Sequence, residues 1–140
     1  MGRRVNYQDS IIFILAKANQ KVHGTFKSMF QKYRLTPMQA LVLSALYQED
    51  GIPAGEVGKR LVLDSATLSG VLERMVESGW IVKRTTDEDR RVVNLYLTAR
   101  AKEVKGPMLK EVRAINDRVL SSFKVEERLL LERMLKDLWK

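Results

Sequence analysis

Ser65, Thr67 and Ser69 follow Asp64 in a stretch whose apolar residues recur at helical spacing. Their hydroxyls can donate to or accept from phosphate oxygens and base edges alike. Arg74 lies further along the same stretch, where a guanidinium can hold a phosphate or grip a guanine in bidentate fashion. Beyond it, Arg90 and Arg91 close a run of mixed charge, Asp87-Glu88-Asp89-Arg90-Arg91. An arginine at a hairpin tip suits a narrow minor groove, where negative potential is concentrated. A carboxylate two residues away, Asp89, can accept its hydrogen bonds and brace it. These types in this order fit contacts to a nucleic acid. Each also has a plainer use: Ser and Thr cap helices, and a loop of mixed charge can be solvated and self-neutralising.

Composition narrows the field. The chain has 140 residues, 25 Lys+Arg against 17 Asp+Glu, and a formal charge of +8. That length suits one domain with a core of its own, and 45% hydrophobic with 30% charged residues is not a disordered composition. There is no cysteine, which excludes disulfides, Cys-ligated metals and thiol redox switches. His23 is the single histidine, so it could act as a base, but a multi-His metal site has no ligands. No pair of acids, lysines or tyrosines stands at a catalytic spacing, which argues against an enzyme and implies no cofactor. The most apolar N-terminal stretch, Ile11 to Ala16, is too short for a signal peptide or a spanning helix. Arg3-Arg4 lacks the long apolar run of a twin-arginine signal. The expectation is a cytoplasmic protein without a membrane partner.

The periodicity gives the elements that must carry these residues. Ile11, Ile12, Leu15, Ala18 and Val22 predict a helix over 8–23, and Phe26, Met29, Phe30 and Tyr33 a second, short one after Gly24. Thr36-Pro37 starts another, with Met38, Leu41, Val42, Ala45 and Leu46 as its stripe. Ile52-Pro53 opens a short helix with Val57 and Leu61 inward. Val62, Leu63 and Asp64 form a turn, and the next helix turns Leu68, Val71, Leu72, Met75 and Val76 inward before stopping at Gly79. Trp80-Ile81-Val82 and Val93 to Leu97 read as two strands around the charged loop. A long helix follows Thr98, interrupted near Gly106-Pro107, and a last one carries Leu130, Leu131, Met134, Leu135 and Leu138. The fold class is mainly α with a small β-hairpin: a helix-turn-helix followed by a wing. In such a motif the second helix enters the major groove.

The stretch from Leu35-Thr36-Pro37 through Leu97-Thr98 resembles the multiple antibiotic resistance regulator (MarR) family of winged-helix transcription factors. The likeness rests on Leu35-Thr36-Pro37, on Asp64-Ser65-Ala66-Thr67-Leu68-Ser69, on Leu72-Glu73-Arg74-Met75-Val76-Glu77-Ser78-Gly79-Trp80-Ile81-Val82-Lys83-Arg84, and on Asp89-Arg90-Arg91 with Leu97-Thr98. It implies that Ser65, Thr67 and Ser69 meet the major groove, with Arg74 towards a phosphate. Arg91, beside Arg90, would be the minor-groove residue and Asp89 its brace. Gly70 stands where many relatives have a larger, often basic side chain, so no base contact carries over to that point.

The resemblance further implies one domain over 1–140, with 36–100 as the DNA-binding module. Helices in 1–35 and 101–140 would interleave between two subunits into a homodimer reading a pseudo-palindromic operator in double-stranded DNA. Relatives commonly release DNA when a small, often aromatic or phenolic, ligand binds, which implies a repressor with an effector pocket. Phe13, Lys17, His23, Phe30, Tyr33 and Met108 combine apolar walls with a few polar groups and are its candidates. A winged helix can also serve as a protein–protein interaction module without DNA, but that use needs neither Arg91 nor the hydroxyls. The charge is unevenly spread. Residues 1–35 are net +6, 36–52 are −2, 53–100 only +1, and 101–140 are +3.

Overall fold

One helix, α2 (Pro37–Gln48), packs against the long helix before it, the two helices after it and the hairpin. The computed structural model describes residues 6–140; Arg3 and Arg4 lie outside the described residues. At the start of α2, Thr36 accepts the Gln39 backbone N–H at 3.2 Å, and the Gln39 side chain accepts the Thr36 N–H at 3.0 Å. This reciprocal cap satisfies two amides that the helix itself leaves unpaired. Pro37 takes the first helical position, where its missing N–H forfeits nothing. Ala40, Val42, Leu43, Ala45, Leu46 and Tyr47 are all buried. A helix apolar over so much of its circumference belongs in the interior.

Packed on α2 are α3 (Ala54–Leu61), α4 (Ser65–Glu77) and an antiparallel hairpin of β1 (Ile81–Thr85) and β2 (Val93–Leu97). The hairpin pairs Ile81 with Leu97 and Thr85 with Val93. Its other edge is closed by the chain leaving α2. Gly51 N–H donates to the Leu95 carbonyl and Leu95 N–H to the Ile52 carbonyl, both at 2.9 Å. The Asp50 carboxylate accepts the Leu97 N–H at 2.8 Å. Gly51 has φ +79°, and a Cβ there would lie 2.8 Å from Tyr96 Cε1, so this turn needs glycine. Trp80, Ile81, Leu95, Leu43, Leu46 and Met75 form the centre of the core.

Completing the chain are α1 (Ile11–Phe30), which packs on both α2 and α6, and the C-terminal helices α5 (Ala99–Glu103), α6 (Lys105–Val119) and α7 (Val125–Leu138). Three expectations are corrected. Helix α1 runs through Gly24 instead of ending there. A glycine in a helix costs only about 1 kcal/mol, and the buried face continues through Phe26 and Phe30, stacked at 6.1 Å. The break after Thr98 falls at Val104, between α5 and α6, rather than at Gly106-Pro107. Those two sit in the first turn of α6, where a proline's absent N–H has no helical partner to lose. Strand β1 extends through Lys83, Arg84 and Thr85, because strand pairing tolerates exposed charges on the open face. Among the described residues, apolar side chains remain uncovered at Ile11, Ile12 and Ile14 on α1 and at Leu129, Leu130, Met134, Leu135 and Leu138 on α7.

Candidate nucleic-acid interface

The turn between α3 and α4 is tight. Val62 adopts φ 54°, a conformation costly for a β-branched residue, and Leu63 N–H donates to the Gly58 carbonyl at 2.9 Å. A Cβ on Gly58 would stand 3.2 Å from Leu68 Cδ2, so glycine lets α3 and α4 approach closely. The sequence reading passed over Gly58; a glycine inside a short helix is the signal that marks such an approach.

Asp64 begins α4. One of its carboxylate oxygens accepts the Thr67 backbone N–H at 2.8 Å and the other the Thr67 hydroxyl at 2.7 Å. These bonds, the backbone one foremost, hold the Asp64 carboxyl below its usual range. Leu68, Leu72 and Met75 face the core. Ser65, Thr67, Ser69 and Arg74 are exposed on the remainder of the helix. Neither serine hydroxyl nor the Arg74 guanidinium has a partner among the described residues, so all three are available to a ligand. A Cβ on Gly70 would meet nothing within 4 Å, leaving that part of the surface open.

The wing carries the second set. Asp89 accepts the Arg91 backbone N–H at 3.0 Å and its Nε–H at 3.4 Å. The Arg91 side chain is 95% exposed while Asp89 is 44% exposed. Thr86 buttresses the loop, its hydroxyl accepting the Asp89 N–H at 3.2 Å. Arg90 is exposed beside them. Sequence reasoning missed Arg84, whose guanidinium lies 5.3 Å from the Tyr96 ring centre on the sheet face.

The base of the wing is tied to α5. Thr98 caps α5 and donates its hydroxyl to the Gly79 carbonyl at 2.7 Å. Arg100 donates to the Ser78 carbonyl at 2.8 Å and lies 4.1 Å from the Trp80 ring centre. The two carbonyls just past the end of α4 are therefore answered from the start of α5.

Of the six expected pocket residues, the structure brings two together. His23 and Phe30 line a cleft of about 300 Å³ between α1, α2 and α6, with Phe26, Leu41 and Val112 as apolar walls and Asn19, Ser44 and Asn116 as polar ones. Phe13 packs edge-on against Tyr7 at 5.3 Å near the start of α1, with Lys17 beside it. Met108 is buried in the core. Tyr33 donates to Glu111 at 3.1 Å, and Lys32 pairs with the same carboxylate. Burial, followed by the hydrogen bond to Glu111, raises the Tyr33 phenol above its ordinary range.

Comparison with known proteins matches this arrangement to a lineage. Residues 35–92 fit the model of the MarR family. The chain is 30% identical over 123 residues to the HTH-type transcriptional regulator MgrA of Staphylococcus aureus, covering 87% of this chain and 81% of that one. The chain belongs to the MarR family. MarR proteins are transcriptional regulators rather than enzymes, and this MarR protein is a DNA-binding regulator with a winged-helix fold. It is 37% identical over 98 residues to the HTH-type transcriptional regulator TtmR of Methylorubrum extorquens, a match that covers 70% of this chain and half of that longer one. A solved structure of BpsR from Bordetella bronchiseptica, described with the regulation of its DNA binding by 6-hydroxynicotinic acid, superposes with a TM-score of 0.90. At 22% identity, covering 99% of each chain, that likeness is one of fold. Among the described residues no helix is long and apolar enough to cross a membrane.

Proposed function

We propose that this MarR protein is a homodimeric, cytoplasmic repressor that reads a pseudo-palindromic operator and releases it when a small aromatic or phenolic ligand binds. Ser65, Thr67 and Ser69 face the major groove, Arg74 a phosphate, and Arg90 and Arg91 the minor groove, with Asp89 as the brace of Arg91. The observation that carries the reading is Arg91, extended into solvent yet tethered to Asp89 on the wing that follows α4 in the chain. A protein-binding wing has no need of such a cation.

Dimerisation is supported by the uncovered apolar residues of α1 and α7. Each half of a helix-turn-helix dimer reads one half-site about a helical turn from the other. The cleft holding His23 and Phe30 supports an effector site, since it joins apolar walls to a few hydrogen-bonding groups. The likeness to BpsR, whose DNA binding responds to a hydroxylated aromatic acid, points to the same class of ligand. Phe13, Lys17, Tyr33 and Met108 stand outside that cleft within one subunit.

The test is an anisotropy titration against an operator selected from random-sequence duplexes. Arg91→Ala should weaken binding by about 1–3 kcal/mol with the fold intact. Wild-type affinity should fall steeply with salt as phosphate contacts release counterions. Unchanged affinity in the variant, or a flat salt response, points to the protein-interaction module instead.

A further inference from the structure

Thr67 differs from its neighbours on α4 in having no hydroxyl proton to offer. Its one hydroxyl proton is directed to an Asp64 carboxylate oxygen at 2.7 Å, while its backbone N–H goes to the other at 2.8 Å. Ser65 and Ser69 have no such engagement among the described residues. A single torsion places both branches of a threonine, so anchoring the hydroxyl also anchors the γ-methyl. The residue is exposed, on the face of α4 that the proposed function turns to DNA. Next to it Gly70 has open space around its missing Cβ, so no side chain there holds the helix off the groove floor.

We infer that Thr67 reads thymine, through contact of its fixed γ-methyl with the thymine C5-methyl in each half-site. Thymine alone presents a methyl group in the major groove, and threonine methyls are suited to it. The serines on either side, with free protons, make the hydrogen bonds. Asp64 acts as a positioning residue: it touches no base, but it settles which branch of Thr67 points outward. This inference rests on the DNA-binding reading above.

Operators enriched from a random pool are rebuilt with deoxyuridine in place of thymine, one position at a time. Uracil keeps every hydrogen-bonding edge of thymine and lacks only the methyl. One thymine per half-site should prove sensitive, with affinity falling about fourfold for one half-site, as expected for one buried methyl. Thr67→Ser keeps the cap and the hydroxyl acceptor, folds by the same melting criterion, and should bind thymine and uracil operators equally. If wild type is indifferent to uracil everywhere, the inference is wrong. It is also wrong if Thr67→Ser stays as sensitive as wild type, or if Ala66→Gly abolishes the effect instead. Failure to enrich any sequence would overturn the DNA-binding reading, and this inference with it; enrichment without a uracil effect overturns this inference alone.

Discussion

Asp89 offers a test in which two physical effects have opposite signs. It is an acid placed where phosphates should come, so deleting its charge ought to help DNA binding. Two unit charges about 10 Å apart in water interact by about 0.4 kcal/mol, less with salt. Against this stands the tether. Asp89 holds Arg91 through its backbone N–H at 3.0 Å and its Nε at 3.4 Å. An arginine has about 2 kcal/mol of rotamer entropy to lose on docking. With Arg91 95% exposed, the tether falls in the class of surface pairs, contributing up to about 1 kcal/mol. The net expectation for Asp89→Ala is a loss near 0.5 kcal/mol per wing, or about fivefold for a dimer with two wings. The assay is a double-mutant cycle by fluorescence anisotropy at fixed salt. In an Arg91→Ala background the same change should tighten binding slightly, because only the charge effect remains. Equal tightening in both backgrounds would refute the brace.

Other outcomes follow from the core and the uncovered faces. Tyr47 donates to the Ala101 carbonyl at 2.6 Å, and Tyr47→Phe should cost about 1–2 kcal/mol by leaving that carbonyl unpaired. Burial, and secondarily Tyr33, push the Tyr47 phenol from 10.0 up to about 12. The neutral phenol is thus favoured in the folded state, and its contribution is full below pH 10 and lost as pH climbs towards 12. Urea midpoints at pH 8 and pH 11 should show that loss in wild type, and a smaller one in the variant. Gly51→Ala should lower the urea midpoint by at least the 1–2 kcal/mol, roughly, of a left-handed non-glycine residue, with the Tyr96 contact adding to it. Leu135→Glu on the exposed face of α7 should move sedimentation from dimer to monomer and weaken operator binding in parallel. A wild-type monomer would overturn the dimer.

Much of the reading head is legible because its signals are local. Thr36-Pro37 and Asp64 are caps, and a cap depends only on residues within one turn of it. The alternation of Val93 to Leu97 likewise identifies a strand without reference to its partner. What escaped depends on tertiary packing. Gly24 and Gly106-Pro107 are breakers by propensity, yet α1 passes the first because its buried face outweighs about 1 kcal/mol of local preference, and the second falls in the first turn of α6, where a proline is tolerated. The third segment of the sheet, at Gly51 and Ile52, has no alternation to announce it; it exists through its bonds to Leu95. The six pocket candidates share a composition but not a face. Periodicity places Phe30 and Met108 inward without telling a cleft wall from the core.

The ties at the end of α4 set the geometry of reading. Thr98 and Arg100 hold the carbonyls of Gly79 and Ser78, so one end of α4 is hinged to the segment that leads into α6. The hydroxyls proposed to meet DNA lie towards the opposite end, with Ser65 a helix length away. Thirteen residues span about 20 Å at 1.5 Å per residue. Swung about its tied end by about 10°, such a rod carries Ser65 through about 3.5 Å, close to the 3.4 Å spacing of neighbouring bases. A small rotation at the foot of the hairpin would thereby be magnified into a slip of one letter at the proposed point of contact.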